Sequence, residues 1–250
     1  MEQLQIEKYK GFYCRPNTSD KKMVKESLAN YAKFNIDHNS IVVDFGGNIG
    51  AFGKMALEAN CKQLHIFEPE TSNFNMITLN LLDYNRVEEK VKFYQTAVST
   101  SDKPELIFYQ NNSGNKDCSG TVAPSSKRSI AARKIRTVVA NKNINEVIAE
   151  LKPTHLKIDI EGAEIDWIKQ TEANIPDSVQ ELALEIHKDN TGFFEEFDSI
   201  WYPKICEKFE PIFIHPNSGF KDENKITLPN MGIEVYGSLF GIDLLFRRKI

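Results

Sequence analysis

The sequence predicts an α/β fold, a largely parallel sheet with helices packed on it, and three observations predict it. Residues 41–58 read as an apolar strand, a glycine bend and a helix. Short apolar runs then alternate with stretches of helical periodicity along the rest of the chain. Two later strands, at 154–160 and 181–187, carry charge near their C-terminal ends, where open parallel sheets hold their ligands.

The totals fit that class. A chain of 250 residues suits one large α/β domain, here 1–250, with 1–39 as an N-terminal extension carrying a helix and 40–250 as the α/β core. At 41% hydrophobic residues it can fill a sizeable core. A net charge of -4 disfavours a nucleic-acid partner. Cys14, Cys61, Cys118 and Cys206 lie far apart without a Cys-x-x-Cys pair, so neither a zinc site nor a disulfide framework is indicated, and reduced thiols of a cytoplasmic protein are the simple reading. No basic start leads into an apolar run, so no signal peptide is visible. No apolar run is long enough to span a bilayer, so no membrane partner is expected. No internal repeat appears, and oligomeric state is not legible.

In chain order, Arg15-Pro16-Asn17-Thr18-Ser19 is turn-prone. Ser19 or Asp20 can cap a helix to about Phe34, with Met23, Val24, Leu28, Tyr31 and Phe34 near one face. That helix either covers the ligand end of the sheet or serves packing alone. Ile41-Val42-Val43 is strand-forming and Asp44 closes it; Gly46, Gly47 and Gly50 make the bend before helical spacing resumes at Ala51. Glycines permit positive φ and close approach of a ligand, and a helix N-terminus adds free N–H groups. The nicotinamide fingerprint Gly-x-Gly-x-x-Gly fails. From Gly46 its later glycine positions hold Asn48 and Ala51; from Gly47 they hold Ile49 and Phe52. What stands is Asp-x-Gly-x-Asn-x-Gly. An acid there repels a pyrophosphate but suits S-adenosylmethionine, whose sulfonium and ammonium are cationic. A plain corner needs neither Asp44 nor Asn48.

Gln63 to Phe67 reads as strand two and ends in Glu68-Pro69. Glu68 falls about 20 residues past the glycine bend, where a carboxylate can accept both ribose hydroxyls; the alternative is a cap for the next helix. His65 reads as a packed histidine. Phe74, Ile77, Leu81 and Leu82 give a helix from Thr71 to about Tyr84. Residues 91–98 read as strand three, with Thr96-Ala97 near the base of a nucleotide. Leu106 to Tyr109 is an extra strand. Residues 110–129 form a long polar loop. Lys127, Arg128, Arg133, Lys134 and Arg136 then form a basic cluster, either a phosphate site or a solvated face. Ile135 to Val139 is extended; Asn143 caps a helix through Leu151, and Pro153 stops it.

Strand four, Thr154 to Ile160, puts Leu156, Ile158 and Ile160 on one face and Lys157, Asp159 and Glu161 on the other. Strand five, Glu181 to His187, puts Glu185 and His187 opposite Leu182, Leu184 and Ile186. Central strands should be apolar on both faces, and buried charge is costly unless paired. Lys157 is therefore expected to offset Asp159 or Glu185. The catalytic candidates are Lys157, Asp159, Glu185 and His187. His187 is expected to take the proton from an acceptor hydroxyl, with Asp159 orienting that hydroxyl. A divalent metal between Asp159 and Glu185 is an alternative we do not favour. Glu161 and Glu164 fit the first turn of a helix, where the dipole favours acids. A helix from about Asn190 carries Phe193, Phe194, Phe197, Ile200 and Trp201. Strand six is Phe209 to His215, residues 216–230 form a polar lid loop over the acceptor, and Gly241 to Arg248 is strand seven.

With these segments laid out, the chain resembles the FkbM-type family of S-adenosylmethionine-dependent methyltransferases. The carrying residues are Val43-Asp44-Phe45-Gly46-Gly47-Asn48-Ile49-Gly50, Phe67-Glu68-Pro69, and Leu156-Lys157-Ile158-Asp159-Ile160-Glu161-Gly162-Ala163-Glu164, the last being the most specific. The resemblance spans roughly residues 13–248. It implies a doubly wound, mostly parallel seven-stranded sheet of the Rossmann-like class I methyltransferase kind, with the final strand inserted antiparallel. It implies S-adenosyl-L-methionine as donor and an oxygen acceptor, a hydroxyl of a small molecule, most naturally a sugar or glycan. By motif position, Asp44, Gly46, Asn48 and Glu68 should touch the cofactor, joined by Phe45, Gly47, Gly50, Pro69 and Ala97. Asp159 should face the methionine end or the acceptor. Asn48 stands where other methyltransferases usually have glycine. The rival functions are a nicotinamide-dependent oxidoreductase and a non-catalytic S-adenosylmethionine-binding module.

Overall fold

The computed structural model describes residues 5–84, 90–110, 120–122, 135–187, 192–218, 225–236 and 239–250. It begins with a hairpin of β1 (Glu7–Tyr9) and β2 (Phe12–Cys14), followed by helix α1 (Asp20–Asn30). Neither expected cap serves α1. Ser19, at the cap position, makes no side-chain bond. The Asp20 carboxylate instead accepts from Arg15 at 2.8 and 3.0 Å.

Two strand–helix units follow: β3 (Ile41–Phe45), α2 (Ala51–Glu58), β4 (Gln63–Phe67) and α3 (Thr71–Asn80), leading into β5 (Val91–Tyr94). α3 ends four residues before the expected Tyr84. Its last residue, Asn80, is pulled into bonds with the Tyr13 and Ile49 backbone.

The expected strand 91–98 divides in two. Thr96 N–H bonds back to the Tyr94 carbonyl at 2.9 Å, and this tight turn swings the chain out of the main sheet. The second piece, β6 (Ala97–Ser99), joins β7 (Glu105–Gln110), β8 (Gly120–Thr121) and β9 (Ile135–Asn143) in a separate sheet of order β6-β9-β7-β8. The expected loop 110–129 thus contains a short strand. Its residues 111–119 and 123–129 lie outside the described residues, as do Cys118, Lys127, Arg128, Arg133 and Lys134; Arg136 is on β9.

Asn143 caps α4 (Ile144–Leu151) by accepting from Asn145 N–H at 2.9 Å, as expected. Then come β10 (His155–Ile158), α5 (Ala163–Thr171) and β11 (Glu181–His187). The aromatic helix forms as α6 (Phe193–Glu196), a π-helical turn Phe197–Trp201 and α7 (Tyr202–Lys208). β12 (Phe209–Ser218), β13 (Lys225–Leu228), β14 (Ile233–Tyr236) and β15 (Leu239–Arg248) complete the chain. The expected lid loop 216–230 is corrected: β12 runs to Ser218, and 225 onward is a hairpin of β13 with β14, while 219–224 lie outside the described residues.

The main sheet has the order β12-β15-β11-β10-β3-β4-β5. Every pair in it is parallel except the two that β15 makes, so the last strand alone is reversed. Alternation along the strands feeds two cores. Val43, Phe45, Leu156, Ile158 and Leu184 pack with α4, α5 and α7, whereas Val42, Leu64, Ile66 and Ala183 pack with α2 and Phe34. Helices therefore cover both faces. Phe45 meets Phe67 edge-on with ring centroids 5.2 Å apart, a contact that adds roughly 1 kcal/mol beyond the area it buries. Among the described residues, no helix is long and apolar enough to cross a membrane.

Candidate active site

The β3–α2 corner sets the site. The N–H groups of Gly46 and Gly47 both bond to the Phe67 carbonyl at 3.0 Å. Gly46 has φ +83°, and a Cβ there would sit 1.8 Å from the Asp159 carbonyl oxygen. Only glycine lets the ends of β3 and β10 close so tightly, and this brings the corner beside Asp159.

Asp44, expected at the cofactor, lies buried at the end of β3. It is 0% exposed, and its register partner on β10 is Lys157. The Lys157 Nζ lies 3.1 Å from Asp44 Oδ1 and 3.3 Å from Asp159 Oδ2, and donates to the Gly46 carbonyl at 3.0 Å. Asp44 therefore pairs with a buried lysine at the strand end. Burial raises the Asp44 carboxyl above its ordinary range, with Lys157 working against the rise. Burial opposes the charge on Lys157, but Asp44 and Asp159 outweigh it and hold the ammonium above its usual range. The partners of Lys157 are thus Asp44 and Asp159. Glu185 is paired differently.

A cavity of about 610 Å³ opens at the C-terminal ends of the central strands. Gly46, Gly47, Asn48, Glu68, Pro69 and Ala97 line one part of it; Lys157, Asp159, Glu185 and His187 line another. Phe45 and Gly50, both expected at the cofactor, stand back from the wall. Phe45 is a core residue against Phe67, and Gly50 is the N-cap of α2. Glu68, at 6% exposure, accepts from Asn48 N–H and Glu70 N–H, each at 2.9 Å. It does not cap α3; Glu70 does, accepting from Asn73 N–H. Burial pushes the Glu68 carboxyl up to about 8, against those two N–H groups.

The other end centres on His187. Its Nδ1 is 2.9 Å from Glu164 Oε1, and Glu164 also accepts from the His187 and Gly162 N–H groups. The His187 Nε2 faces Glu185 Oε1 at 3.6 Å and Asp159 Oδ1 and Glu161 Oε2 at 3.9 Å. Burial disfavours the charged ring, but Glu164, Glu185 and Glu161 outweigh it and raise His187 well above its ordinary value. His187 was expected to act as base in its neutral form, and these acids favour the protonated ring instead. Glu185 is raised well above the carboxylate range by burial and by Asp159, with His187 opposing. On Asp159 burial is outweighed by Lys157 and His187, which keep it below its usual value and ionised.

Sequence reasoning assigned Glu164 to the helix dipole and missed that it is fully buried and orients His187. It also missed Asn30, Asp243 and His215, which line the same cavity, and did not single out Tyr31 as part of it. The only signal for Asn30 and Tyr31 was their place on a helix preceding the corner.

Asp159, Glu185 and His187 bring one ligand atom each to within 4.8 Å of one another, a spacing a cation can bridge. An ion there would compete with a proton for His187. The residues present are compatible with an adenosyl-sulfonium donor: Gly46, Gly47 and Asn48 line the cavity at the corner, and the carboxyl groups of Glu68, Asp159 and Glu185 line it beside them.

Comparison with known proteins adds three findings. A family model described as the methyltransferase FkbM domain matches residues 44–207. No curated protein matches the chain. Among solved structures, a methyltransferase FkbM from Methylobacillus flagellatus KT aligns at TM-score 0.50 and 13% identity, over 89% of this chain and 47% of that one. The M. jannaschii tRNA m1G37 methyltransferase aligns at TM-score 0.46 and 12% identity, over 100% and 58%. P. horikoshii TYW2, solved with MeSAdo, aligns at TM-score 0.46 and 11% identity, over 98% and 70%. The chain thus spans about half the length of the solved FkbM methyltransferase it matches.

Proposed function

The chain belongs to the FkbM methyltransferase family, and from that premise we propose that it is an S-adenosylmethionine-dependent O-methyltransferase acting on a hydroxyl of a small molecule, a sugar or glycan. The observation that carries this reading is one cavity with a ribose-type carboxylate at the glycine corner and a proton-handling cluster at the other end. A scaffold that only bound the donor would have no use for the second cluster. Cys14, Cys61 and Cys206 are free thiols, which suits a reducing compartment such as the cytoplasm.

S-adenosylmethionine, when bound, supplies an electrophilic methyl group on a cationic sulfur. Glu68 would accept its ribose hydroxyls, the Gly46-Gly47-Asn48 backbone would lie along it, and Asp159 would face its charged end. The acceptor oxygen must lose a proton as the new bond forms. Glu185 is the group we assign to take it, because a carboxylate with raised basicity is a stronger base than an ordinary one. Its neighbours set that basicity: Asp159, Asp243 and Glu161 raise it, and His187 lowers it. His187, held by Glu164 and favoured in its charged form by the acids around it, would face the developing alkoxide.

The test is methyl transfer from labelled donor onto sugars and other polyols, with the product's linkage read by NMR. An O-methyl product is expected. Products methylated only at nitrogen, or no transfer to any hydroxyl compound, would contradict the reading.

A further inference from the structure

The reacting oxygen has more bonding directions than the groups assigned so far fill. A hydroxyl oxygen carries one O–H and two lone pairs. Its proton goes to Glu185 and one lone pair attacks the methyl carbon. A donor that held the second lone pair would fix the direction of the first. Tyr31, which lines the cavity, is such a donor.

Tyr31 comes from outside residues 44–207, the stretch that matches the family domain. It opens the 3-10 turn Tyr31–Lys33 at the end of α1, the helix that roofs the cavity. Its backbone is held on both sides: its N–H donates to the Ser27 carbonyl, and its carbonyl accepts from Phe34 N–H at 3.1 Å. One residue earlier, Asn30 donates to Asp243 Oδ2 at 2.6 Å, which ties this end of the helix to β15. The ring is held as well. It meets Phe52 edge-on with centroids 5.1 Å apart and Phe34 at 6.3 Å, and the Lys157 Nζ lies 5.8 Å from its centre. That lysine is the one paired with Asp159, so the ring stands beside the Asp159 end of the cavity. Burial, then the charges of Asp159, Asp243 and Glu185, raise the phenol well above its ordinary value. It keeps its proton at neutral pH and serves as a donor only.

We propose that Tyr31 sets the choice of oxygen over nitrogen: its phenol donates to the acceptor hydroxyl, occupies one lone pair, and leaves the other aimed at the methyl group. This rests on the methyltransferase reading of the same cavity and deepens it. The hydroxyl oxygen bonds to the methyl carbon as the carbon–sulfur bond breaks. The electron pair stays on sulfur, the hydroxyl proton passes to Glu185, and Tyr31 keeps its own. A neutral amine meets the same phenol differently. Its nitrogen has a single lone pair, and a lone pair that accepts from Tyr31 cannot attack. The contact that aims a hydroxyl therefore blocks an amine.

The experiment compares wild type with Tyr31→Phe, using labelled S-adenosylmethionine and a panel of methyl glucoside, glucosamine and linear polyols. O-linked and N-linked products are separated by NMR, and glucosamine is run at alkaline pH so that its amine is partly unprotonated. Phenylalanine keeps the ring contacts, so Tm and the affinity for S-adenosylhomocysteine should stay at the wild-type level. O-transfer should fall at least tenfold in kcat/KM. On glucosamine the wild type should give the O-methyl product, and the N-methyl share should rise severalfold in the variant. Equal O-transfer by the variant, a loss of donor affinity as large as the loss of transfer, or an unchanged ratio of O- to N-product would each overturn the inference while leaving the O-methyl reaction standing. No O-transfer by the wild type to any member of the panel would overturn the reaction itself and the inference with it.

Discussion

Glu185 is the residue on which the chemistry turns. Burial and Asp159 raise it, and His187 holds it back. A base raised in this way is protonated at acid pH, so the rate of transfer should climb as pH rises through its folded value, above the ordinary carboxylate range. Glu185→Gln should lower kcat at least a hundredfold, within the range general-base catalysis contributes, and abolish the climbing limb. A pH–rate profile of both proteins checks this; a wild-type profile flat from pH 5 to 8 would shift the role to Asp159, which is already ionised there. These residues were legible because charge interrupts an apolar alternation at 157, 159, 185 and 187. Their partners were not. Period-two alternation tells which side chains share a face of one strand, but Lys157 answers Asp44 because β10 lies beside β3, a fact of strand order. Glu164 was passed over because a helix's first turn explains an acid without invoking the histidine 23 residues on.

At the scale of elements, α1 carries the roof of the cavity and is pinned at its start. Arg15, 7% exposed, binds Asp20 at its Nε and Nη2 and reaches Ser72 and Asn73 on α3. Arg15→Gln would leave Asp20 buried without its cation, at a cost of about 3 kcal/mol. It should also speed amide exchange in residues 20–30 while leaving the central strands protected. Denaturation and hydrogen exchange read the two effects, and uniform loosening of the whole chain would mean that Arg15 is not a local pin. The helix itself followed from its apolar spacing. The hairpin β1–β2 did not, since three-residue strands carry no period to read. The split of β5 from β6 was hidden for a similar reason: Val91 to Val98 is uniformly strand-forming, and the turn at Gln95-Thr96 uses no glycine or proline. Strand β13 lay in a stretch whose polarity suggested a loop, because its few apolar residues, Ile226 and Leu228, are flanked by polar ones, although both pack on the core.

For the whole molecule, buried ionisable groups tie stability to pH. Glu68, raised to about 8, and Glu185 hold protons in the folded state that the unfolded chain sheds near 4.5, so each favours folding less as pH rises above that value. His187, also raised, contributes stability fully present below about 6.5 and lost as pH rises through its folded value. Asp159, lowered, acts in the opposite sense, and its contribution is lost only as pH falls below 3.8. Burial lowers His65 to about 4 and lowers His155 too, so both act in the opposite sense below about 6.5; above that value the apo protein should show a higher Tm near pH 7 than near pH 8.5, and a Tm that rises over this interval would contradict the assignments. The sheet that creates this burial was foreshadowed in its parallel core by apolar runs and glycines. Its strand order and the reversed β15 are properties of long-range pairing that no single segment records, and came only with the resemblance.

The account rests on the corner between β3 and α2, together with Glu68, being the seat of the methyl donor. Calorimetric titration of S-adenosylhomocysteine into the wild-type protein and into Glu68→Gln tests it most directly. Binding to the wild type, titrated above pH 8 so that Glu68 is ionised, and weakened tenfold or more in the folded variant by loss of charged hydrogen bonds of about 1.5–3 kcal/mol, is the expected result. No binding to the wild type, equal affinity in the variant, or preferential binding of NADH would contradict it.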